Sequence, residues 1–419
     1  MSTLIIEGLA HLKGTVKISG SKNAALPIIA ATVLVKGECV LTNVPDITDI
    51  HDMLSILKSL GAHVDFKNNT LKIDTTAING KNPDESLVRK IRASILLVGP
   101  LLARNKKVRV PAPGGCYIGN RPLDAHFDAF RDMGATVIED GEIYHIEAPK
   151  LKGTTITLWE MSVTATENLL MAACLAKGTT ILRLASCEPH VQDLCHFLNK
   201  MGARISGIGT SILTIEGVNT LKPTNYKVIS DEIEAGTYMI LAAATNSELT
   251  LENIETDRMD YTIFSKFREA NMNFELEKNS IHMKKSLRIK PIKKLWTAPS
   301  PHFPSDLQAP FAVLMTMAEG SSLIHETMYE GRLNYLKELM AMGANASILD
   351  PHRAVIIGPT DLQGKRIESL DLRAGATLII AALIAEGRSE IINAEIIDRG
   401  YENIIEKLQG LGAKIKREE

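Results

Sequence analysis

An apolar stretch that runs into a glycine and then into a β-rich segment recurs along this chain, and its spacing constrains the fold more than any other feature. It reads SLGAHV at Gly61, DMGATV at Gly134, KMGARI at Gly202, AMGANA at Gly343 and GLGAKI at Gly412. EANMNF supplies a degenerate copy with Asn271 in the glycine's place, the usual substitute for glycine in the left-handed conformation that ends a helix. The six copies lie about 70 residues apart and fill the chain.

A second series lies upstream of the first: VLVKG at Gly37, LLARN at Asn105, CLAKG at Gly178, AAATN at Asn246, TMAEG at Gly320 and LIAEG at Gly387. Each ends an Ala-, Leu- and Ile-rich run and leads into a short strand pattern such as CVLTNV, TTILRL or SEIINA. The unit is thus helix, strand, helix, then a pair of strands. The first helix of each unit is apolar nearly all round, which marks it as buried rather than amphipathic. At 419 residues the chain exceeds what one hydrophobic core usually supports. Six such units therefore predict an α/β fold of two three-unit domains with helices inside and sheets outside.

The charge balance excludes several partners. A formal net charge of -2 leaves no surplus of cations for nucleic acid or an anionic membrane, so an anion site has to be built locally. The start, MSTLIIEGLAHLKG, does not read as a leader, and runs such as AALPIIAATVLV are too short to span a bilayer, so neither secretion nor membrane insertion is expected. The five cysteines (Cys39, Cys116, Cys174, Cys187, Cys195) form no CxxC pair, which points to the reducing cytoplasm and away from a disulfide framework or zinc.

The repeat also organises the charged residues. Just before the buried helix of each unit stand Lys22, Arg92, Ser162 with Thr164, Asp231 with Glu234, Asp306, and Arg373. Before the second helix stand Asp46, Arg121, Glu188, Asp257, Arg332 and Arg399, each about 11 to 15 residues ahead of the closing glycine or Asn271. Cations beside the positive end of a helix dipole run against the usual preference. Six of them in such places, where unpaired backbone N–H groups also favour an anion, point to a negatively charged ligand.

Three segments carry chemistry. In ISGSKNAALP, Ser21 is the expected cap, and Lys22 and Asn23 occupy the first turn of a buried helix. The spacing is not that of a Walker loop, so nothing supports nucleotide triphosphate binding. VPAPGGCYIGNRPLD, residues 110 to 124, reads as a mobile loop that is neither helix nor central strand, with Cys116 at its middle and Arg121 five residues on. Cys116 is either an inert buried thiol or a proton donor. In FPSDLQAP, Asp306 is either a plain helix cap or a catalytic carboxylate. DLRAGATL repeats the design with Asp371 as cap and Arg373 in the first turn.

SGSKNAALP, KIRASILLVGPLLAR, PGGCYIGNRPLDAH, FPSDLQAP, YEGRLNY, DLRAGATL and DRGYENI occur in this order over essentially the full chain. Together they resemble the UDP-N-acetylglucosamine 1-carboxyvinyltransferase family of enolpyruvyl transferases. The resemblance implies an inside-out α/β barrel of six repeats in two three-unit domains, residues 22–229 and residues 1–21 plus 230–419, with the active site in the cleft between them. It implies no metal and no organic cofactor, and small-molecule substrates, phosphoenolpyruvate and UDP-N-acetylglucosamine. By this resemblance Lys22, Arg121 and Arg399 hold the phosphate of phosphoenolpyruvate with Asn23 beside them, and Arg332 and Arg373 meet its carboxylate. Asn23, Arg92, Arg121, Pro122, Leu123, Asp124, Ser162, Val163, Asp306 and Met328 hold the UDP-sugar. Cys116 protonates the methylene carbon and is the target of the epoxide fosfomycin, and Asp306 takes the proton from the sugar 3-hydroxyl.

Two places depart from the family pattern. Ala165 stands in SVTATEN where relatives have glycine in this or the neighbouring position, and Ser230 and Glu232 replace a common Pro and Arg. Three other functions compete with this one. A shikimate-pathway enolpyruvyl transferase shares the donor, but the Cys116 loop fits the UDP-sugar enzyme. An RNA-end-processing enzyme would need a basic groove that the charge balance does not supply. A catalytically dead scaffold would have no use for Cys116, Asp306 and six placed cations together.

Overall fold

The structure is a computed structural model, and it describes residues 2–114, 118–119 and 121–419. The chain separates into two compact units, each with its own hydrophobic core. One runs from Gly20 to Ile229. The other takes the residues up to Ser19 and those from Ser230 onward, together with Ile118 and Gly119.

The buried helices form for reasons visible in their first turns. Ser21, Ser162, Asp231 and Asp371 each accept a backbone N–H of the helix they open: Lys22–Ala31, Val163–Ala173, Glu232–Ala244 and Leu372–Ile384. Leu372–Ile384 buries every residue from Leu372 to Leu383, Arg373 and Thr377 included, as a sequence otherwise apolar all round requires. The other two buried helices, Val98–Asn105 and Gln308–Met315, are entered through tighter 3-10 turns, Arg92–Leu97 and Ser305–Leu307. Pro100 and Pro310 stand in the first turn of each α-helix, where a missing N–H leaves no bond unmade.

The closing positions hold the left-handed backbone that helix termination needs. Gly61 has φ 107° and Asn271 has φ 63°, and the Asn271 side chain donates to the Arg288 carbonyl at 2.8 Å. In the upstream series the second copy differs from the sequence reading. Asn105 is the last helical residue, and Lys106 takes the left-handed position at φ 66° while its ammonium folds back onto the Ala103 carbonyl at 2.8 Å.

Among the described residues there are six small sheets, five of four strands and one of three. Each contains an antiparallel pair and the strand that follows a buried helix, and five gain a further short strand that the sequence reading missed. Thr155–Thr157 runs parallel to Thr179–Arg183, Lys294–Thr297 to Gly320–Glu326, and Arg366–Glu368 to Arg388–Ile392. Three or four residues are too few to show alternation in a sequence.

Two of these added strands come from far away in the chain. Asn225–Lys227 pairs with Glu38–Thr42, and Lys13–Lys17 pairs with Glu248–Glu252. Thr3–Glu7 lies between Arg388–Ile392 and Ile415–Glu418. The first residues of the chain are thereby built into the sheets of its last third.

The 110 to 124 segment also differs from the loop expected. Val110 and Pro111 finish the edge strand Lys107–Pro111, where proline is tolerated, and Asp124 opens the helix Asp124–Asp132. Cys116 lies outside the described residues.

Candidate active site

In the Gly20–Ile229 unit, Lys22 is buried at the start of its helix, with Nζ 3.2 Å from Oδ2 of Asp49 on the neighbouring Thr48–Leu60 helix. Asn23 is the one residue of the Lys22–Ala31 helix that is not buried. A guanidinium N–H of Arg92 donates to the Arg121 carbonyl, which ties the 3-10 turn to the Arg121–Asp124 run. Pro122 and Asp124 are exposed, but Leu123 is 7% exposed and sits in the core. Leu123 can therefore offer a ligand only its backbone. Ser162 spends its side chain on the Ala165 N–H, and Val163 is half-buried behind it.

This unit also holds an acid that the sequence reading overlooked. Glu167, inside Val163–Ala173, is buried and its Oε1 has no hydrogen-bond donor among the described residues. Burial pushes its carboxyl well above the ordinary range, and the charge of Glu188 pushes it further. Its place in an apolar helix gave no pattern to find it by.

In the other unit, Asp306 is held by two arginines. Its side chain caps neither Ser305–Leu307 nor Gln308–Met315. Instead Oδ1 takes a guanidinium N–H of Arg332, and Oδ2 takes Nε of Arg373 at 3.0 Å. Both arginines are almost wholly buried, at 5% and 3% exposed, whereas the Asp306 side chain keeps 29% of its surface. Arg332 lies over the Tyr329 ring at 5.8 Å and Arg373 over Tyr401 at 5.2 Å. Burial, the largest single influence, lowers both guanidinium groups, but Asp306 together with Asp371 and Glu326 at Arg332, and with Tyr401 and Asp231 at Arg373, outweighs it, and both are held above their usual value. Nε of Arg332 and Nη1 of Arg373 are buried without an acceptor among the described residues. Two cations share one carboxylate here and keep spare N–H groups, a combination suited to a planar anion such as a carboxylate.

Glu326 supports this cluster and was not singled out from the sequence. It is fully buried and accepts from Thr297 at 2.9 Å, from Ser305 at 2.7 Å and from the Met328 N–H at 2.9 Å. It thus fixes the residue before Asp306 and the half-buried Met328 together. Arg399 ends the turn Ala394–Arg399 and is half-buried, while its neighbour Asp398 is engaged by Arg417 through two bonds of 2.6 and 2.8 Å. The family departures have partners of their own. Ser230 donates to Glu255 at 2.7 Å, and Glu232 accepts the Asp260 N–H at 2.7 Å.

Cys39, Cys174 and Cys195 are buried, but Cys187 lies in a loop and is half-buried, because it precedes the helix Pro189–Lys200 rather than belonging to it. Among the described residues no group of three or more His, Cys, Asp or Glu is placed to hold a metal ion, and no helix is long and apolar enough to cross a membrane.

Comparison with known proteins gives this geometry a context. The sequence profile of the EPSP synthase (3-phosphoshikimate 1-carboxyvinyltransferase) family matches residues 6–408. The chain is 45% identical to UDP-N-acetylglucosamine 1-carboxyvinyltransferase 2 of Carboxydothermus hydrogenoformans, over 100% of this chain and 99% of that protein. It is 44% identical to the UDP-N-acetylglucosamine 1-carboxyvinyltransferase of Treponema denticola over the full length of both. Among solved structures it is similar to the enolpyruvyl transferase NikO from Streptomyces tendae, with a TM-score of 0.91 at 25% identity over 99% of this chain and 98% of that one. It also shares a fold with the EPSP synthase of Acinetobacter baumannii, with a TM-score of 0.77 at 21% identity over the full length of both.

Proposed function

The chain belongs to the EPSP synthase family of enolpyruvyl transferases, and from that premise we propose that it transfers the carboxyvinyl group of phosphoenolpyruvate to the 3-hydroxyl of UDP-N-acetylglucosamine, releasing phosphate. Full-length likeness to proteins named for that activity, at 42 to 46% identity, favours the UDP-sugar over a shikimate acceptor. The reaction is the first committed step toward peptidoglycan, and it places the protein in the cytoplasm. The reading also takes the six sheets with their buried helices as six repeats of an inside-out α/β barrel, three in each unit.

The observation that carries the chemistry is the Asp306 carboxylate shared by Arg332 and Arg373. Phosphoenolpyruvate carries a carboxylate and a phosphate, and the spare N–H groups of the two arginines suit the carboxylate. Lys22, Arg121 and Arg399, with Asn23, receive the phosphate. Asn23, Arg92, Arg121, Pro122, the Leu123 backbone, Asp124, Ser162, Val163, Asp306 and Met328 hold the UDP-sugar.

In the reaction, Cys116 gives a proton to the methylene carbon, which leaves a cationic centre on the adjacent carbon. Asp306 takes the proton of the sugar 3-hydroxyl as its oxygen attacks that centre, giving a tetrahedral phospho-ketal. Loss of phosphate and of the added proton restores the vinyl group. Arg332 and Arg373 hold the Asp306 carboxylate still and remove its freedom to turn away from the hydroxyl.

The deciding experiment is phosphate release from phosphoenolpyruvate with UDP-N-acetylglucosamine, with 3-phosphoshikimate and with neither. Release that depends on the UDP-sugar is expected. Release that depends on 3-phosphoshikimate overturns the assignment.

A further inference from the structure

A buried chain of hydrogen bonds ends at Thr164, beside the proposed acceptor residues Ser162 and Val163. It starts at a donor that has no choice. The Gly99 backbone N–H donates to Oδ1 of Asn168 at 2.7 Å, which fixes which end of the Asn168 amide faces Gly99. The amide nitrogen of Asn168 then donates to the Ile95 carbonyl at 2.9 Å and meets Nδ1 of His126 at 3.0 Å. Both contacts of that nitrogen are donations, so Nδ1 of His126 accepts and carries no proton.

A neutral His126 therefore has its hydrogen on Nε2, which lies 3.1 Å from Oγ1 of Thr164. The neutral form is favoured by place as well as by bonding, since His126 is 2% exposed and the cation facing it is Arg92. Thr164 Oγ1 must accept from His126, so its own hydrogen is turned away from the ring. Thr164 itself is half-buried, in the first turn of Val163–Ala173.

We infer that Thr164 is a specificity residue for the acceptor substrate, with its hydroxyl fixed as a hydrogen donor toward a diphosphate oxygen of the UDP group by the chain Gly99, Asn168, His126. This rests on the proposed function, because the acceptor has to be a UDP-sugar. With one lone pair taken by His126 and its hydrogen turned outward, the hydroxyl is set to donate, and diphosphate oxygens are acceptors alone, whereas sugar hydroxyls both give and take. His126 acts through Thr164 and is a positioning residue. Thr164 and His126 were both visible in the sequence, but nothing in their spacing joined them.

The test has two readouts. Thr164→Val removes the hydroxyl and keeps the shape, and it raises KM for UDP-N-acetylglucosamine about tenfold, with the effect falling on neither kcat nor KM for phosphoenolpyruvate. Thr164→Ser keeps the hydroxyl and restores the wild-type KM. Equal impairment of both variants, a change confined to kcat, or no change at all overturns the proposal. Independently, 15N NMR of histidine-labelled protein shows His126 with its proton on Nε2 from pH 5 to 8. A proton on Nδ1, or titration in that range, overturns it even if Thr164→Val behaves as expected. Failure of the functional assignment itself looks different, because the wild-type protein then shows no release with the UDP-sugar.

Discussion

Arg373 donates from Nε to Oδ2 of Asp306 at 3.0 Å, while the other oxygen of the same carboxylate is held by Arg332. One partly exposed acid is thus shared by two buried cations, which leaves the cluster a net positive charge. Asp306→Asn keeps the shape and removes the carboxylate charge. It lowers turnover by about two orders of magnitude or more through loss of the base. It also costs about 1–3 kcal/mol of stability, because buried guanidinium groups lose their counter-charge. A denaturant titration with a turnover assay checks both, and an active variant with wild-type turnover removes Asp306 from the chemistry.

Arg373→Lys retains a positive charge but not the fork that places Nε and Nη2 on one oxygen of Asp306. KM for phosphoenolpyruvate should rise by about tenfold or more, with a smaller effect on KM for the UDP-sugar. Steady-state kinetics with each substrate varied in turn reads this directly. An equal rise in both constants would mean that Arg373 does not meet the donor.

Two buried groups set opposite slopes of stability against pH. His126 is pushed down to about 3 by burial and by Arg92. The unfolded chain binds a proton there below about 6.5 and the folded protein does not until far lower, so stability is lost as pH falls through that window. The loss is about 2 kcal/mol between about pH 6.5 and 5, and His126→Gln flattens the curve there. Denaturant midpoints of the two proteins at several pH values measure it, and parallel curves would contradict a neutral buried His126.

Glu167 works the other way. Its folded carboxyl is raised, first by burial and then by Glu188, so it stays protonated where the unfolded chain has ionised. Stability is therefore lost as pH rises above about 4.3. Glu167→Gln keeps the shape without the ionisation, and its gain in Tm over wild type should grow from pH 5 to pH 8. The same gain at both pH values would mean that Glu167 is already ionised in the folded protein over this range, against a raised carboxyl.

Cysteine reactivity should divide by burial. Burial pushes the Cys39 thiol up, raises Cys174 further and lifts Cys195 to about 12, so these three stay protonated and slow to react. Cys116 is expected to take the fosfomycin adduct, with Cys116→Asp keeping transfer activity and losing inactivation. Mass spectrometry of the treated protein locates the adduct. Modification of Cys174 or Cys195 in the folded protein would refute the ordering.

What could be read from the sequence is what neighbouring residues decide among themselves. The closing positions Gly61, Gly134, Gly202, Asn271, Gly343 and Gly412 all hold positive φ, and the caps Ser21 and Asp371 bond the helices they precede. Termination and capping act within one helical turn, so a linear pattern records them. Helix burial was legible for a similar reason: residues with no polar face have nowhere else to go. Tertiary structure alone decided that Lys13–Lys17 joins Glu248–Glu252, that Asn225–Lys227 joins Glu38–Thr42, and that Asp306 faces arginines 26 and 67 residues away rather than its own helix. It also decided the tautomer of His126, through an asparagine 42 residues on. These are pairings between surfaces that exist only once each core has closed, and a buried charge or polar atom takes whichever partner packing brings to it.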